Sequence, residues 1–174
     1  MKQYTTFFLL VTIATGSIAQ QKIDYDKKLR ELGIELVTPA KPVANYVKVV
    51  RTGNLLYLAG NGPLRADGSY ITGKVGVDLS LEKGYEAARQ TGISILSTLK
   101  EELGDLNKVK RIVKVLGMVN CPDTFADHPK VINGFSDLMV AVFGEKGNHA
   151  RSALGVNALP FHTAVEIEVI VEVE

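Results

Sequence analysis

Tryptophan is missing from the 174-residue sequence, and cysteine occurs once, as Cys121. A single thiol permits no intrachain disulfide, so the fold has to hold by packing, helped by assembly. Cys121 ends an apolar stretch just before Pro122 and has no motif relation to a histidine, which is the pattern of a buried thiol rather than a nucleophile. Histidine is scarce too. His128, His149 and His162 lack metal-ligand spacing with one another or with Cys121, and neither a metal nor a cofactor is expected. The glycine-containing stretches GNGP and GKVG have no lysine followed by serine or threonine, so neither is a phosphate loop.

An excess of one charge is also missing. The chain has 20 basic and 19 acidic residues, a formal net charge of +1. Such a balance, without tryptophan, argues against a nucleic-acid surface, RNA included. No solenoid repeat and no low-complexity segment occurs, and no apolar run is long enough to cross about 30 Å of hydrocarbon. The N-terminal MKQYTTFFLLVTIATGSIA instead pairs Lys2 with a short apolar centre from Phe7 to Ala14, and places small residues Ser17 and Ala19 before a cleavage point. It reads as a secretory signal peptide over residues 1–19, cut near Ala19, giving a secreted or periplasmic protein with no stable membrane anchor. The rest divides into a polar helix and linker over 20–42 and one domain over 43–174. Its 46% hydrophobic and 22% charged residues are the balance of a globular chain.

Within the linker, Tyr25, Leu29 and Leu32 fall at helical spacing before Gly33. The segments 46–51 and 54–59 flank Thr52-Gly53 and predict a hairpin, followed by a glycine-rich stretch, AGNGPLRADGSYITGKVGVD, of loop and short strand pieces. Apolar residues at steps of three and four predict a long helix over 79–103, capped by Asp78 or Ser80. Alternation predicts a strand over 111–120, a second helix over 130–143 ends at Gly144, and two strands, about 150–158 and 163–173, complete the chain. This order, hairpin, helix, strand, helix, hairpin, predicts an α+β fold with a single mixed sheet and both long helices on one of its faces.

Two charges in the last segment stand out. Along the final strand Val165, Ile167, Val169 and Val171 share one face, and Glu166, Glu168, Ile170 and Glu172 the other. If the two last strands form a hairpin with Leu154 and Val156 beside the valines, Arg151, Ala153 and Gly155 join Glu166 on the face away from the helices. Arg151 and Glu166 are then roughly 13 Å apart, with small residues between them. A guanidinium there suits carboxylate capture. A half-buried Glu166 beside Glu168 has the raised pKa of a general acid or base. The plainer reading is a solvated sheet face. His149, two residues before Arg151, lines the same cleft if the strand extends that far.

Arg151-Ser152, Leu159-Pro160 and Val165-Glu166-Ile167-Glu168, with Gly53-Asn54-Leu55-Leu56-Tyr57 and Gly60-Asn61-Gly62-Pro63, resemble the RidA/YjgF family. That group is also labelled L-PSP endoribonuclease or chorismate mutase-like, and the likeness runs from about Val43 to Val173. The resemblance implies a chorismate mutase-like homotrimer with small-molecule clefts between subunits. It further implies that the chain hydrolyses imines or enamines derived from amino acids: Arg151 holds the carboxylate of a small ligand, Glu166 positions water for attack on the imine carbon, and Tyr46 and Gly60 shape the cleft. Two polar contacts of many active members are replaced, by Ala59 in place of serine and by Ala153, at a substrate-binding position, in place of cysteine. The glycine-rich stretch also departs from the commoner serine-glycine-glutamine form, which marks a divergent branch. A non-catalytic trimer that retains small carboxylates or a partner is the alternative, and RNA cleavage rests on the family label alone.

Overall fold

A computed structural model describes residues 22–39, 41–42 and 44–174. The signal-peptide reading of residues 1–19 therefore lies outside the described residues. The elements are α1 (Tyr25–Glu31), β1 (Val49–Thr52), β2 (Leu55–Asn61), α2 (Leu81–Leu103), β3 (Val109–Asn120), α3 (His128–Phe143), β4 (Ala150–Val156) and β5 (Val165–Val173). No helix among the described residues is long and apolar enough to cross a membrane.

Local chemistry accounts for most of these boundaries. Ser80 caps α2 by accepting from the Lys83 backbone N–H, and Gly104 ends it in the left-handed region at φ +72°, where a side chain would be strained. Pro129 occupies the first turn of α3, where its missing N–H has no helical partner to lose. β1 is shorter than the predicted strand and begins at Val49, which leaves Tyr46 in the connection before it.

The five strands form one mixed sheet in the order β1-β2-β5-β3-β4. All neighbouring pairs are antiparallel except β3 and β4. Both long helices cover one face: Ile95, Leu96 and Leu99 of α2 and Ile132, Phe135 and Met139 of α3 join Val165, Ile167, Val169 and Val171 in a single core. The helices pack closely because position 134 is glycine. A Cβ there would strike the carbonyl oxygen of Tyr85 and stand 3.1 Å from the Arg89 nitrogen, both backbone atoms of α2.

The terminal hairpin predicted from adjacency does not form. β5 lies between β2 and β3, and β4 pairs with β3 in parallel across the α3 connection. Two physical preferences explain the outcome. A strand–helix–strand segment closes as a right-handed crossover between parallel strands. In β5 every second residue from Val165 to Val173 is buried, so it needs a neighbour on each side, whereas β4, with Ser152, Ala153 and Gly155, tolerates an edge.

Candidate functional site

Strand order reverses the predicted facing of Arg151. Residues paired across a ladder share a face. Val115 is fully buried under the helices and pairs with Arg151, so Arg151, Ala153 and Gly155 lie on the helix side of β4, and Ser152 and Leu154 on the open side. Glu166 pairs with Met118, which pairs in turn with Leu154 on the open side. Arg151 and Glu166 are thus separated by two strand spacings and three residues, about 14 Å between backbone positions, and face opposite ways. The structure does not bring them together within one chain. Ala153 follows Arg151 and packs against the helix-side core.

Glu166, Gly60 and Tyr46 do meet. They line a cleft of about 270 Å3 together with Tyr70, Phe161 and Thr163. At the end of β2 the ladder with β5 slips between Leu58 and Asn61, which leaves Ala59 and Gly60 beside the Glu166 side chain. A Cβ on Gly60 would collide with Glu166 Oε1 and lie 2.8 Å from its Cδ, so glycine is what gives the carboxylate its position. Burial, and secondarily the charge of Glu168, push the Glu166 carboxyl above the ordinary carboxylate range. A carboxylate so placed holds a proton more readily than one in water and is a stronger base toward a bound water or amine.

Arg151 is held by α3. Its Nη1 donates to Asn133 Oδ1 and to Ser136 Oγ, each at 2.9 Å, and Nη2 approaches the Pro129 carbonyl at 3.4 Å. Beside it, His149 Nδ1 lies 2.6 Å from the Gly147 carbonyl oxygen, which fixes the proton on that nitrogen. Nε2 is then an acceptor for a hydrogen bond donated by the Ser136 hydroxyl at 3.0 Å, leaving the Ser136 oxygen free to accept from Arg151. Burial holds the His149 pKa below its usual value, so the neutral ring of this chain of bonds is favoured. β4 begins at Ala150, so the strand does not extend to His149, which is joined to Arg151 through Ser136 and does not line the Glu166 cleft.

Cys121 is buried, and burial raises its thiol pKa, in keeping with an unreactive sulfur. A histidine does stand near it, although no sequence spacing signalled this: His128 Nε2 and Cys121 Sγ both crowd the position a Cβ of Gly155 would take. Among the described residues no group of three or more His, Cys, Asp or Glu is placed to hold a metal ion.

Sequence reasoning missed Tyr70 and Phe161 in the cleft, and Asn133 and Ser136 on Arg151. Tyr70 sits in a loop without periodicity, and the α3 residues are brought to Arg151 by the crossover. The one available signal was Phe161 directly after the Leu159-Pro160 motif.

The open face of the sheet is apolar for a surface. Val50, Tyr57 and Leu154 are exposed there, with Leu116, Met118 and Ile170 half-buried between them. Patches of this kind mark contact surfaces.

The family model described as YjgF/chorismate mutase-like matches residues 26–173. The chain belongs to the YjgF/RidA family. Protein TCP17 of Trypanosoma cruzi is 40% identical over 161 residues, covering 92% of this chain and 96% of its relative. The crystal structure of protein Atu1372 from Agrobacterium tumefaciens, of unknown function, superposes with a TM-score of 0.81 at 40% identity, over 86% of this chain and 92% of that one. RidA from an Antarctic Psychrobacter shares the fold at a TM-score of 0.57 and 24% identity, over 80% of this chain and 98% of that one. Within the YjgF/RidA family this chain is therefore built more like Atu1372 than like that RidA.

Proposed function

We propose that the protein is an imine or enamine deaminase, which converts a small carboxylate-bearing 2-imino acid and water into the 2-keto acid and ammonia. The observation that carries this reading is Glu166, half-buried, with its pKa raised by that burial, and held over Gly60 in an open cleft. Ionised Glu166 takes one proton from water as the water oxygen bonds to the imine carbon and passes it to the nitrogen; it then carries the proton of the new hydroxyl to the nitrogen as the carbon–oxygen double bond forms and the carbon–nitrogen bond breaks, releasing ammonia. The guanidinium of Arg151 is the carboxylate anchor: Asn133 and Ser136 hold its Nη1, and Nε and Nη2 are the donors left for a carboxylate. Because Arg151 and Glu166 of one chain face opposite ways, the working site takes Arg151 from one subunit and Glu166 from its neighbour. The apolar open face of the sheet supports such an assembly, a homotrimer by family resemblance.

Ammonia release from a freshly generated 2-imino acid tests the assignment. Wild type is expected to exceed the spontaneous rate, and Arg151→Ala and Glu166→Gln are each expected to lose at least about tenfold in kcat/KM. Equal rates in all three proteins overturn it. A second reading draws on Ala59, beside Glu166, and Ala153, on the Arg151 face, where the family resemblance implies serine and cysteine: the same site retains small carboxylates without turning them over. Ligand-dependent rises in Tm across keto acids, without ammonia release, favour that version.

A further inference from the structure

The sequence has six tyrosines, six phenylalanines and no tryptophan, yet three of these rings converge on the Glu166 cleft. Tyr46 and Phe161 are 52% and 71% exposed, high values for large side chains beside a carboxylate. Tyr70 and Phe161 lie almost parallel, with an interplanar angle of 8° and ring centroids 6.3 Å apart. Both also border a second cleft, of about 240 Å3, that extends from the first past Gly62 toward Leu64, Ser94 and Thr98. The two rings form a wall between the carboxylate and an extension in which Pro39, Pro42 and Leu64 alternate with polar groups, Lys41 and Lys48 among them, and the joined space has the size of a small-molecule site.

The backbone that presents Phe161 is unusual. Phe161 and His162 are consecutive non-glycine residues at positive φ, +57° and +54°. Bulky side chains seldom adopt this region, and strain of this kind concentrates at ligand-contacting sites. The surrounding frame holds it in place. The Gly73 N–H donates to the His162 carbonyl at 2.9 Å, and the N–H and hydroxyl of Thr163 both donate to the Pro160 carbonyl at 3.2 Å. Tyr70 is fixed from behind by Gly62 and Thr163: a Cβ on Gly62 would lie 3.2 Å from the Tyr70 ring and 3.3 Å from Thr163 Cγ2. A ring held in strained backbone and turned toward water gains only if something flat or apolar covers it.

We infer that the Glu166 cleft selects substrates whose side chain is aromatic, with Tyr70 and Phe161 as the wall that receives the ring. This rests on the deaminase reading and names its substrate class. The imine carbon stands at Glu166, and the aryl group stacks on the exposed face of Phe161. Tyr46 closes the opposite side, and an aliphatic side chain leaves the π faces uncovered.

The test compares 2-imino acids generated from phenylalanine and from alanine, with phenylpyruvate and pyruvate as equilibrium ligands in calorimetry. Wild type is expected to favour the aryl member of each pair by about tenfold, the scale of one aromatic stack plus buried ring area. Phe161→Gly removes the ring and suits a positive φ, so it is expected to fold with an unchanged or higher Tm while both ratios fall toward one. Wild-type ratios near one overturn the inference, as does a Phe161→Gly protein that keeps them. Loss of assembly in Phe161→Gly, read by sedimentation, also overturns it by assigning the ring to a subunit contact. Ammonia release without side-chain preference defeats the inference and leaves the deaminase reading standing. Selective phenylpyruvate binding without ammonia release does the reverse.

Discussion

A hydrogen atom in place of a methyl group at position 60 decides where the Glu166 carboxylate rests. The same placement takes the carboxylate partly out of water and next to Glu168, and so raises its pKa. The sign of the linked stability change follows. Below about pH 4.5, the ordinary value for glutamate, both folded and unfolded chains carry the proton. As pH rises above it the unfolded carboxyl ionises first, the folded state binds more protons, and stability falls. Glu166→Gln removes this dependence. Its Tm is expected to be close to that of wild type at pH 4 and higher at pH 7, the gap opening across the interval, as scanning calorimetry at both pH values would record. An ionised Glu166 that stabilised the fold would give the opposite trend.

Among the elements, the α2–α3 contact is set by Gly134, whose Cα faces the backbone of Tyr85 and Arg89. Alanine there improves helix propensity by about 1 kcal/mol, but a backbone collision of this kind costs about 1–3 kcal/mol and cannot be relieved by a rotamer change. The collision wins, and Gly134→Ala is expected to lower Tm by roughly 2–6 °C, measured by thermal unfolding. The helices themselves were legible in the sequence, because a 3.6-residue rhythm and a serine or glycine cap are local properties. So was the alternation of β5, including Glu166 and Glu168 on the face away from the valines. The face of Arg151 was not. Alternation says which residues of β4 go together, but the side they take depends on the neighbouring strand, and β4 chose β3 across a helix rather than β5 across a short loop. Arg151, Tyr46, Gly60 and Glu166 were each named from the family motif, and three of them, Tyr46, Gly60 and Glu166, share one cleft. Their grouping was legible only in part, since Tyr70 and Phe161 reach the cleft through loops, and Asn133 and Ser136 reach Arg151 through the crossover.

At the scale of the whole molecule, the sheet has one helix-covered face and one bare apolar face, the face that the proposed assembly would cover. Val50, Tyr57 and Leu154 are too exposed, and too close to half-buried Leu116 and Met118, to be left in water without cause. In the proposed assembly these faces turn inward, and each site joins Arg151 of one subunit to Glu166 of its neighbour. The opposed orientation of Arg151 and Glu166 then has a consequence that no single chain displays. Two inactive proteins should repair each other. An Arg151→Ala subunit still offers Glu166, a Glu166→Gln subunit still offers Arg151, and a site that draws each group from the subunit that keeps it is whole. When the two are unfolded together and reassembled in equal amounts, about a quarter of the intersubunit sites are expected to be whole by random placement, and ammonia release should return to that fraction of wild type. Absence of recovery in mixed assemblies would mean that both groups are drawn from the same chain.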